Sequence, residues 1–168
     1  MILKRLKNYL DEHQIRYVTI HHPAAYTAEE IAHLIHVPGK EVAKTVMINV
    51  DGKTAMAVLP ANDTINFSVL STELNGATVY LEDEDAFKAD FPDCEVGGMP
   101  PFGNLYDLPV YASTRLAEDE QIIFNAGTHS DMVRMRFRDF EALVQPRVLN
   151  FSVPRHENPG HIERWVSA

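Results

Sequence analysis

The sequence contains very little cysteine. Its 168 residues include one, Cys94, so no disulfide can form within the chain. A single thiol also excludes a structural zinc site built from several cysteines, and it suits a reducing compartment such as the cytoplasm. Long hydrophobic runs are lacking too, since none approaches the roughly 20 residues that span a bilayer. We therefore expect no membrane partner.

Positive charge is also in short supply. The 24 Asp and Glu outnumber the 15 Lys and Arg, for a net charge of -9. This composition argues against a general polyanion binder such as a DNA-binding protein, which needs clustered basic side chains. Arg134, Arg136 and Arg138 are a local exception, because a strand would place all three on one face. Two interpretations stay open: an ordinary solvated strand face, or a contact for a phosphate backbone.

Two common catalytic signatures are missing. The chain has no Gly-x-Ser-x-Gly, and "HLIH" places His33 and His36 at helical spacing without the Glu of His-Glu-x-x-His. A metal hydrolase using these histidines, or the His21-His22 pair, is an open alternative to ordinary surface roles. No metal or other cofactor is predicted. Cys94 is interpreted as a small semi-buried residue rather than a nucleophile.

The patterns that are present predict an α+β fold. Hydrophobic residues make up 45% of the chain, enough for a substantial core. Thr27 and Glu30 form a capping-box pattern, and Asp51-Gly52 marks a two-residue hairpin. Strands are predicted at 16–22, 42–50, 53–60, 77–83, 108–113, 121–127 and 132–137, and helices at 2–13, 27–37, 61–76, 82–91 and 138–144. Because strands and helices do not alternate regularly, the sheet should be mixed and largely antiparallel.

Two domain segments are expected. Residues 1–145 form the α+β domain, and residues 146–168 form a C-terminal extension rich in Pro, Asn and Gly. The extension is predicted to pack on the domain or to dock on a partner through Trp165.

Lys44 occupies an unusual place in the stretch "EVAKTVMINV". Strand alternation puts it on the more apolar face, beside Val42, Val46 and Ile48. A lysine there either extends its ammonium to water along an apolar surface or lies in a cleft and contacts a substrate. The pattern leaves both possibilities open.

Two glycine-containing loops could complete a site with Lys44. In "GGMPPFG", Gly97 and Gly98 permit close backbone approach, while Pro101 and its neighbour stiffen the loop so that N–H groups could serve as an oxyanion hole. In "FNAGTHSD", Gly127 follows a strand, and His129 could bind a substrate or relay a proton. Each loop alone is equally compatible with a plain connection.

These segments together carry a family resemblance. The stretches "HHPAAYTAEE", "VAKTVMI", "MAVLPAND", "GGMPPFG" and "IIFNAGTHSDMVRM" occur in the order of one family. Over residues 1–145 the chain resembles the YbaK/prolyl-tRNA-synthetase-associated domains, which are trans-editing aminoacyl-tRNA deacylases. The resemblance implies a mixed, partly barrel-like sheet surrounded by helices. It also implies hydrolysis of the ester of mischarged aminoacyl-tRNA, often tRNA for proline, without a metal or a covalent nucleophile.

The resemblance also assigns expected roles to individual residues. Lys44 would orient the acyl-adenosine end of the substrate, and the 97–101 loop, with Gly97, Gly98 and Pro101, would bind near the scissile carbonyl. Gly127 matches the family's glycine after a late strand, and its neighbours would bind substrate. The residues expected to bind substrate are Met47, Met99, Phe102, Gly127, Thr128 and His129, the first three by setting pocket size.

One departure from the family leaves a second function open. The family often carries an acidic residue after its "LPVY"-like strand, where this chain has Ala112. The alternative is therefore a catalytically degenerate YbaK-like module that binds a ligand or protein in regulation. For the deacylase, the expected partners are the acceptor end of aminoacyl-tRNA and an aminoacyl-tRNA synthetase.

Overall fold

A computed structural model describes residues 1–155 of the chain. In this part the helices and strands follow one another without a regular alternation. The helices are α1 Lys4–Glu12, α2 Ala28–Leu34, α3 Phe67–Glu73, α4 Glu84–Phe87 and α5 Phe137–Val144. The strands are β1 Tyr17–His21, β2 Ala43–Val50, β3 Lys53–Pro60, β4 Asp63–Ile65, β5 Val79–Leu81, β6 Val110–Ser113, β7 Gln121–Asn125, β8 Asp131–Arg136, β9 Arg147–Leu149 and β10 Ser152–Pro154.

The strands form three sheets. The largest has the order β5-β2-β3-β6-β9, a second has the order β1-β8-β7, and β10 pairs with β4. Only the β3–β6 and β6–β9 pairs are parallel, so the predicted α+β fold with a mixed, largely antiparallel sheet is confirmed. The two larger sheets meet where Val42 and Ile123 form a single parallel bridge. The described strands do not close into a barrel.

The β2–β3 hairpin fixes the position of Lys44. Asp51 and Gly52 both have positive φ, +50° and +87°, as a type I′ turn requires, which confirms the predicted hairpin. From this turn the register runs without interruption until Lys44 lies opposite Leu59. Lys44 is thus at the end of the hairpin that approaches the junction of the two sheets.

Helix α2 covers this junction. Thr27 and Glu30 form the predicted capping box, with Thr27 Oγ1 accepting from the Glu30 N–H at 3.1 Å. The helix then presents apolar side chains toward the bridge between the sheets. The buried cluster beneath it comprises Ala25, Ala28, Ile31, Ala32, Val42, Ala61, Ile123 and Met132. Burial of this face holds α2 directly over the start of β2.

Three elements differ from the sequence predictions. Helix α2 ends at Leu34, and His36 has a φ of +55°, so His33 and His36 do not share a helix face as predicted. The region predicted as a helix at 61–76 is divided between β4 and the shorter α3, whose N-cap is Asn66. Strand β8 ends at Arg136, because Phe137 turns into the core and starts α5. The strand thus ends one residue before the predicted bound. Arg138 lies on α5, as the helix predicted at 138–144 requires, so it does not share the strand face of Arg134 and Arg136.

Residues 147–154 pair with the main body of the fold. Strand β9 extends the large sheet beside β6, and Phe151 is only 1% exposed. Strand β10 pairs antiparallel with β4. There, Ser152 Oγ donates to the fully buried Asp63 carboxylate at 2.8 Å. The division predicted at residue 145 stays a prediction, and Trp165 lies outside the described residues. Over residues 1–155, no helix is long and apolar enough to cross a membrane.

Candidate active site

Lys44 lies in a narrow pocket at the junction of the two sheets. Its side chain is almost fully enclosed, with 2% of the residue exposed. The pocket has room for about one water molecule. Its walls are Ala28 and Ile31 of α2, Val42, Ala43 and Thr45 beside the lysine, and Gly97, Met99, Asn125 and Met132. Of the two interpretations of Lys44, the structure therefore favours the cleft lysine.

Two loops are joined by hydrogen bonds beside this pocket, and we call this junction the seam of residues 95–98 and 127–129. The Glu95 N–H donates to the Gly127 carbonyl, and the Gly127 N–H donates to the Gly98 carbonyl, both at 2.8 Å. The Glu95 carboxylate accepts from the His129 N–H, also at 2.8 Å. The seam holds Gly97 at the pocket wall.

Glycine is required on both sides of the seam. Gly127 has a φ of +105°, a conformation that side chains rarely adopt. A Cβ added to Gly98 would lie 2.9 Å from the carbonyl carbon of Thr128. Pro101 is buried behind the same loop. The two loops can therefore approach this closely only because these positions have no side chain.

The carboxylate of Asp131 supports the second loop. It accepts hydrogen bonds from the Thr128 hydroxyl at 2.8 Å, from His21 Nδ1 at 3.0 Å and from the amino group of Met1 at 2.8 Å. Burial of this carboxyl raises its pKa, but the hydrogen bonds from the amino group, His21 and Thr128 outweigh burial and lower the pKa of Asp131 to about 2. Asp131 is thus ionised at neutral pH and anchors the turn after Gly127.

The Gly97 and Gly98 N–H groups of the 97–101 loop already have acceptors within the loop region. The Gly98 N–H donates to the Glu95 carbonyl at 2.9 Å, within the loop. The Gly97 N–H donates to the sulfur of Met99 at 3.2 Å. A thioether is a weak acceptor, so a substrate oxygen can displace it from the Gly97 N–H at low cost. Of these two donors, Gly97 is the one suited to contact a substrate carbonyl.

The structure brings only some of the predicted substrate-binding residues to the pocket. Met99 lines it, whereas Met47 and Phe102 are buried in the core, Phe102 with its ring 5.6 Å from that of Phe124. His129 is 9% exposed and its ring lies 4.9 Å from the ring of Tyr26. The Thr128 hydroxyl donates a hydrogen bond to the Asp131 carboxylate and thereby fixes the shape of the loop. Direct contact of these loop residues with substrate stays a prediction.

Asn125 is a pocket residue that the sequence did not point out. Its Nδ2 donates to the Gly97 carbonyl at 3.4 Å, while its Oδ1 is buried without a hydrogen-bond partner among residues 1–155. A buried amide oxygen normally accepts a hydrogen bond. The Oδ1 of Asn125 therefore marks a point in the pocket where a water or a substrate group could donate one. The only signal in the sequence is its position, two residues before Gly127.

The structure lends no support to the other nucleophile and metal candidates. Cys94 Sγ lies 3.3 Å from the Tyr106 hydroxyl, and burial raises the pKa of this thiol to about 11, which keeps it protonated. In the part of the chain that is described, no three His, Cys, Asp or Glu side chains are grouped to hold a metal ion. Ala112 is fully buried within β6, so the departure at this position lies in the core and not in the pocket.

Comparisons with known proteins identify the family of most of the chain. Residues 22–143 match the aminoacyl-tRNA editing domain family. The multifunctional Ser/Thr-tRNA deacylase ProXp-y of Escherichia coli K12 is 25% identical over 153 residues, which are 88% of this chain and 91% of the relative. A proline–tRNA ligase of Desulfovibrio desulfuricans is 29% identical over 118 residues, or 67% of this chain. The matched part spans about a fifth, 20%, of that ligase.

Solved structures show the same fold. A protein provisionally designated a trans-editing enzyme for prolyl tRNA synthetase superposes with a TM-score of 0.75 at 17% identity, over 90% of this chain and 96% of the other. The hypothetical protein APE2540 superposes with a TM-score of 0.78 at 18% identity, over 89% and 100%. At these identities the likeness concerns the fold alone. The family match, however, covers most of the sequence and every wall of the Lys44 pocket, and the chain therefore belongs to the aminoacyl-tRNA editing domain family.

Proposed function

We propose that the protein is an aminoacyl-tRNA deacylase that hydrolyses the ester bond of mischarged tRNA. The observation that carries this proposal is the enclosed Lys44 facing Gly97 in a pocket whose walls all fall within the family match. The E. coli relative, matched over 91% of its length, is named as a Ser/Thr-tRNA deacylase and supports the reaction class.

The chemistry needs only a positioned water and charge stabilisation, because an aminoacyl ester is already activated. Water attacks the acyl carbon, the bond from that carbon to the ribose oxygen breaks, and the ribose hydroxyl leaves with a proton. Negative charge develops on the carbonyl oxygen during the attack. The Lys44 ammonium and the Gly97 N–H, released from Met99, are the groups that would stabilise it.

Asn125 supplies the acceptor that the water requires. Its unpartnered Oδ1 lies in a pocket with room for about one water, which the Lys44 side chain also lines. A hydrogen bond from the water to Oδ1 would orient one oxygen lone pair toward the acyl carbon. The Nδ2–Gly97 contact keeps the amide in this orientation.

The narrow pocket favours a small acyl group. It has room for about one water and is lined by Ala28, Ile31, Met99 and Met132, so these side chains must shift to admit an acyl group, and a small one requires the least movement. A small amino acid on tRNA for proline is the first substrate to test, since part of the chain is similar to a proline–tRNA ligase. We further propose that the acceptor end of tRNA binds over this pocket, with a synthetase as a second partner, in the cytoplasm.

The binding-module alternative rests on the acidic surface, on Ala112 and on the C-terminal extension. The structure weakens one of these, because Ala112 lies in the core away from the pocket. It therefore enters here as an outcome of the test rather than as a second proposal.

The decisive experiment is single-turnover deacylation of alanyl-, cysteinyl-, seryl- and threonyl-tRNA, starting with tRNA for proline. We expect the wild type to clear at least one of them and Lys44→Ala to be about 100-fold slower or worse, as when a charge-stabilising group is lost. Lys53→Ala is the matched control, because Lys53 is an exposed lysine at the opposite end of the hairpin. If the folded wild type clears none, the deacylase proposal is wrong and a binding module is the better interpretation.

A further inference from the structure

A basic groove crosses the sheet formed by β1, β8 and β7, and the proposed reaction in the Lys44 pocket does not account for it. It is lined by Arg16, Tyr17, Val18, Gln121, Arg134, Met135 and Arg136, on neighbouring strands β1, β8 and β7. Three arginines thus share one groove, and none of its lining residues is a carboxylate. In a chain with a net charge of -9, such a concentration of positive charge calls for a specific explanation.

Two arginines of this groove form no ion pair with a carboxylate of the described residues. Within residues 1–155, neither Arg134 nor Arg136 has a carboxylate within ion-pairing distance, and the Nε of Arg134 is buried without a hydrogen-bond partner. The guanidinium of Arg134 is thus held neither by a carboxylate nor by a hydrogen bond at Nε. A phosphate is an acceptor that matches the geometry of a guanidinium.

The groove and the reaction pocket lie on the same face of one strand. Met132 lines the pocket, and Arg134 and Arg136 follow it at every second position of β8. At ~3.3 Å per residue, their Cα atoms lie ~7 and ~13 Å from that of Met132. These distances match about two and four nucleotides of stacked strand at ~3.4 Å each. A chain of phosphates that ends in the pocket would pass over both arginines.

We propose that Arg134 and Arg136, assisted by Arg16, bind the backbone phosphates of the nucleotides that precede the terminal adenosine of the tRNA. This inference rests on the proposed deacylase function, because it takes the aminoacylated end to lie in the Lys44 pocket. The partner is recognised by its charge and by its direction away from the pocket, not by its sequence. Such contacts also explain how an acidic protein holds a polyanionic substrate.

Arg138 provides a matched control on the same surface. It is exposed and lies two residues beyond Arg136, but on α5. The depression that it lines with Arg136 also contains Asp119, Glu120 and Glu141. These three carboxylates oppose the charge of Arg138, which does not line the basic groove, so its removal should have little effect on phosphate binding. Arg136 lines both depressions, and Arg134 lines only the basic groove.

The test measures binding of uncharged tRNA by wild type, Arg134→Gln/Arg136→Gln and Arg138→Gln across a range of salt concentrations. For the double variant we expect roughly tenfold weaker binding at low salt. The slope of log K against log salt should fall in magnitude by about 1.4 to 1.8, which corresponds to two phosphate contacts. Arg138→Gln should match the wild type, and Arg136→Lys should retain most of the affinity because it keeps the charge. A thermal melt checks that each variant is folded.

Hydrolysis assays separate this inference from the proposed function. With aminoacyl-tRNA as substrate, the double variant should show a raised KM and an unchanged kcat, while hydrolysis of an aminoacyl-adenosine should be unaffected. Binding of uncharged tRNA requires no catalysis, so it tests the groove even if the deacylase proposal fails. Equal affinity and equal salt slope for wild type and double variant would refute the phosphate assignment and leave an acidic protein surface as the occupant to test next.

Discussion

Substitution of Gly98 by alanine tests whether the seam of residues 95–98 and 127–129 positions the site. The added Cβ would lie 2.9 Å from the Thr128 carbonyl carbon, 3.0 Å from its oxygen and 3.1 Å from its Cα. All three are backbone atoms, so no side chain can rotate to make room. The loops must instead move apart by about 0.5 Å or more to reach ordinary van der Waals separation.

The expected cost follows from this displacement. Overpacking of a well-packed contact typically costs about 1 to 3 kcal/mol, which for a chain of this length lowers the midpoint of thermal unfolding by about 2 to 12 °C. The hydrogen bond from the Gly127 N–H to the Gly98 carbonyl, now 2.8 Å, must lengthen or bend. Because Gly97 is carried by the same loop, its N–H is displaced from the substrate carbonyl, and deacylation should slow by about 10- to 100-fold.

Gly39→Ala is the matched control. A Cβ at Gly39 would meet its nearest atom, the Cβ of Asn62, at 3.5 Å, an ordinary contact. We expect this variant to keep wild-type stability and single-turnover rate, measured by calorimetry and by deacylation of mischarged tRNA at a temperature where all variants are folded. A Gly98→Ala protein with the rate and melting midpoint of Gly39→Ala would refute the idea that the seam positions Gly97.

Three further predictions concern a thiol, a carboxylate and the pocket wall. Cys94→Ala should retain the wild-type rate, and the thiol should react slowly with disulfide reagents at pH 8, because its pKa is about 11. The pKa of Asp131 is lowered to about 2 from 3.8, so its stabilisation, about 2 kcal/mol, should be complete above pH 4 and lost as the pH falls through 2. Urea unfolding of Asp131→Asn should lack this pH dependence, and an unchanged profile would contradict the assignment. Ile31→Val should raise kcat/KM for an acyl group one methylene larger by about tenfold, whereas Leu34→Ala, on the exposed side of α2, should leave the substrate preference unchanged.

Local patterns in the sequence predicted much of the fold. The Thr27–Glu30 capping box and the Asp51-Gly52 hairpin depend on interactions within four residues, so a short stretch of sequence is enough to predict each of them. Strand alternation placed Arg134 and Arg136 on one face correctly. It does not extend to Arg138, which lies on the closing helix predicted at 138–144, because burial of Phe137 against the core ends the strand and starts α5.

Long-range contacts decided the rest of the candidate site. Glu95 and His129 are 34 residues apart, and no local pattern predicts that a carboxylate of one loop binds the backbone of the other. The role of Asn125 depends on where its amide points within the pocket, which alternation along β7 does not give. The cover provided by Ala28 and Ile31 likewise arises only once α2 has packed across the sheet junction.

The distribution of charge reconciles an acidic protein with a polyanionic substrate. At physiological ionic strength, exposed charges separated by more than about 8 Å are largely screened, so the net charge of -9 matters less to a bound phosphate than its nearest neighbours. The carboxylates that flank Arg138 lie at one end of the basic groove, and none of the groove's own lining residues is a carboxylate. Met132, two positions before Arg134 on β8, lines the Lys44 pocket. Acidic surroundings repel a nucleic acid that lies anywhere else on the surface, so they raise the specificity of a groove that leads to Lys44. If this reasoning is right, neutralising Arg134 and Arg136 should weaken tRNA binding roughly tenfold at low salt, even though it changes the net charge by only two.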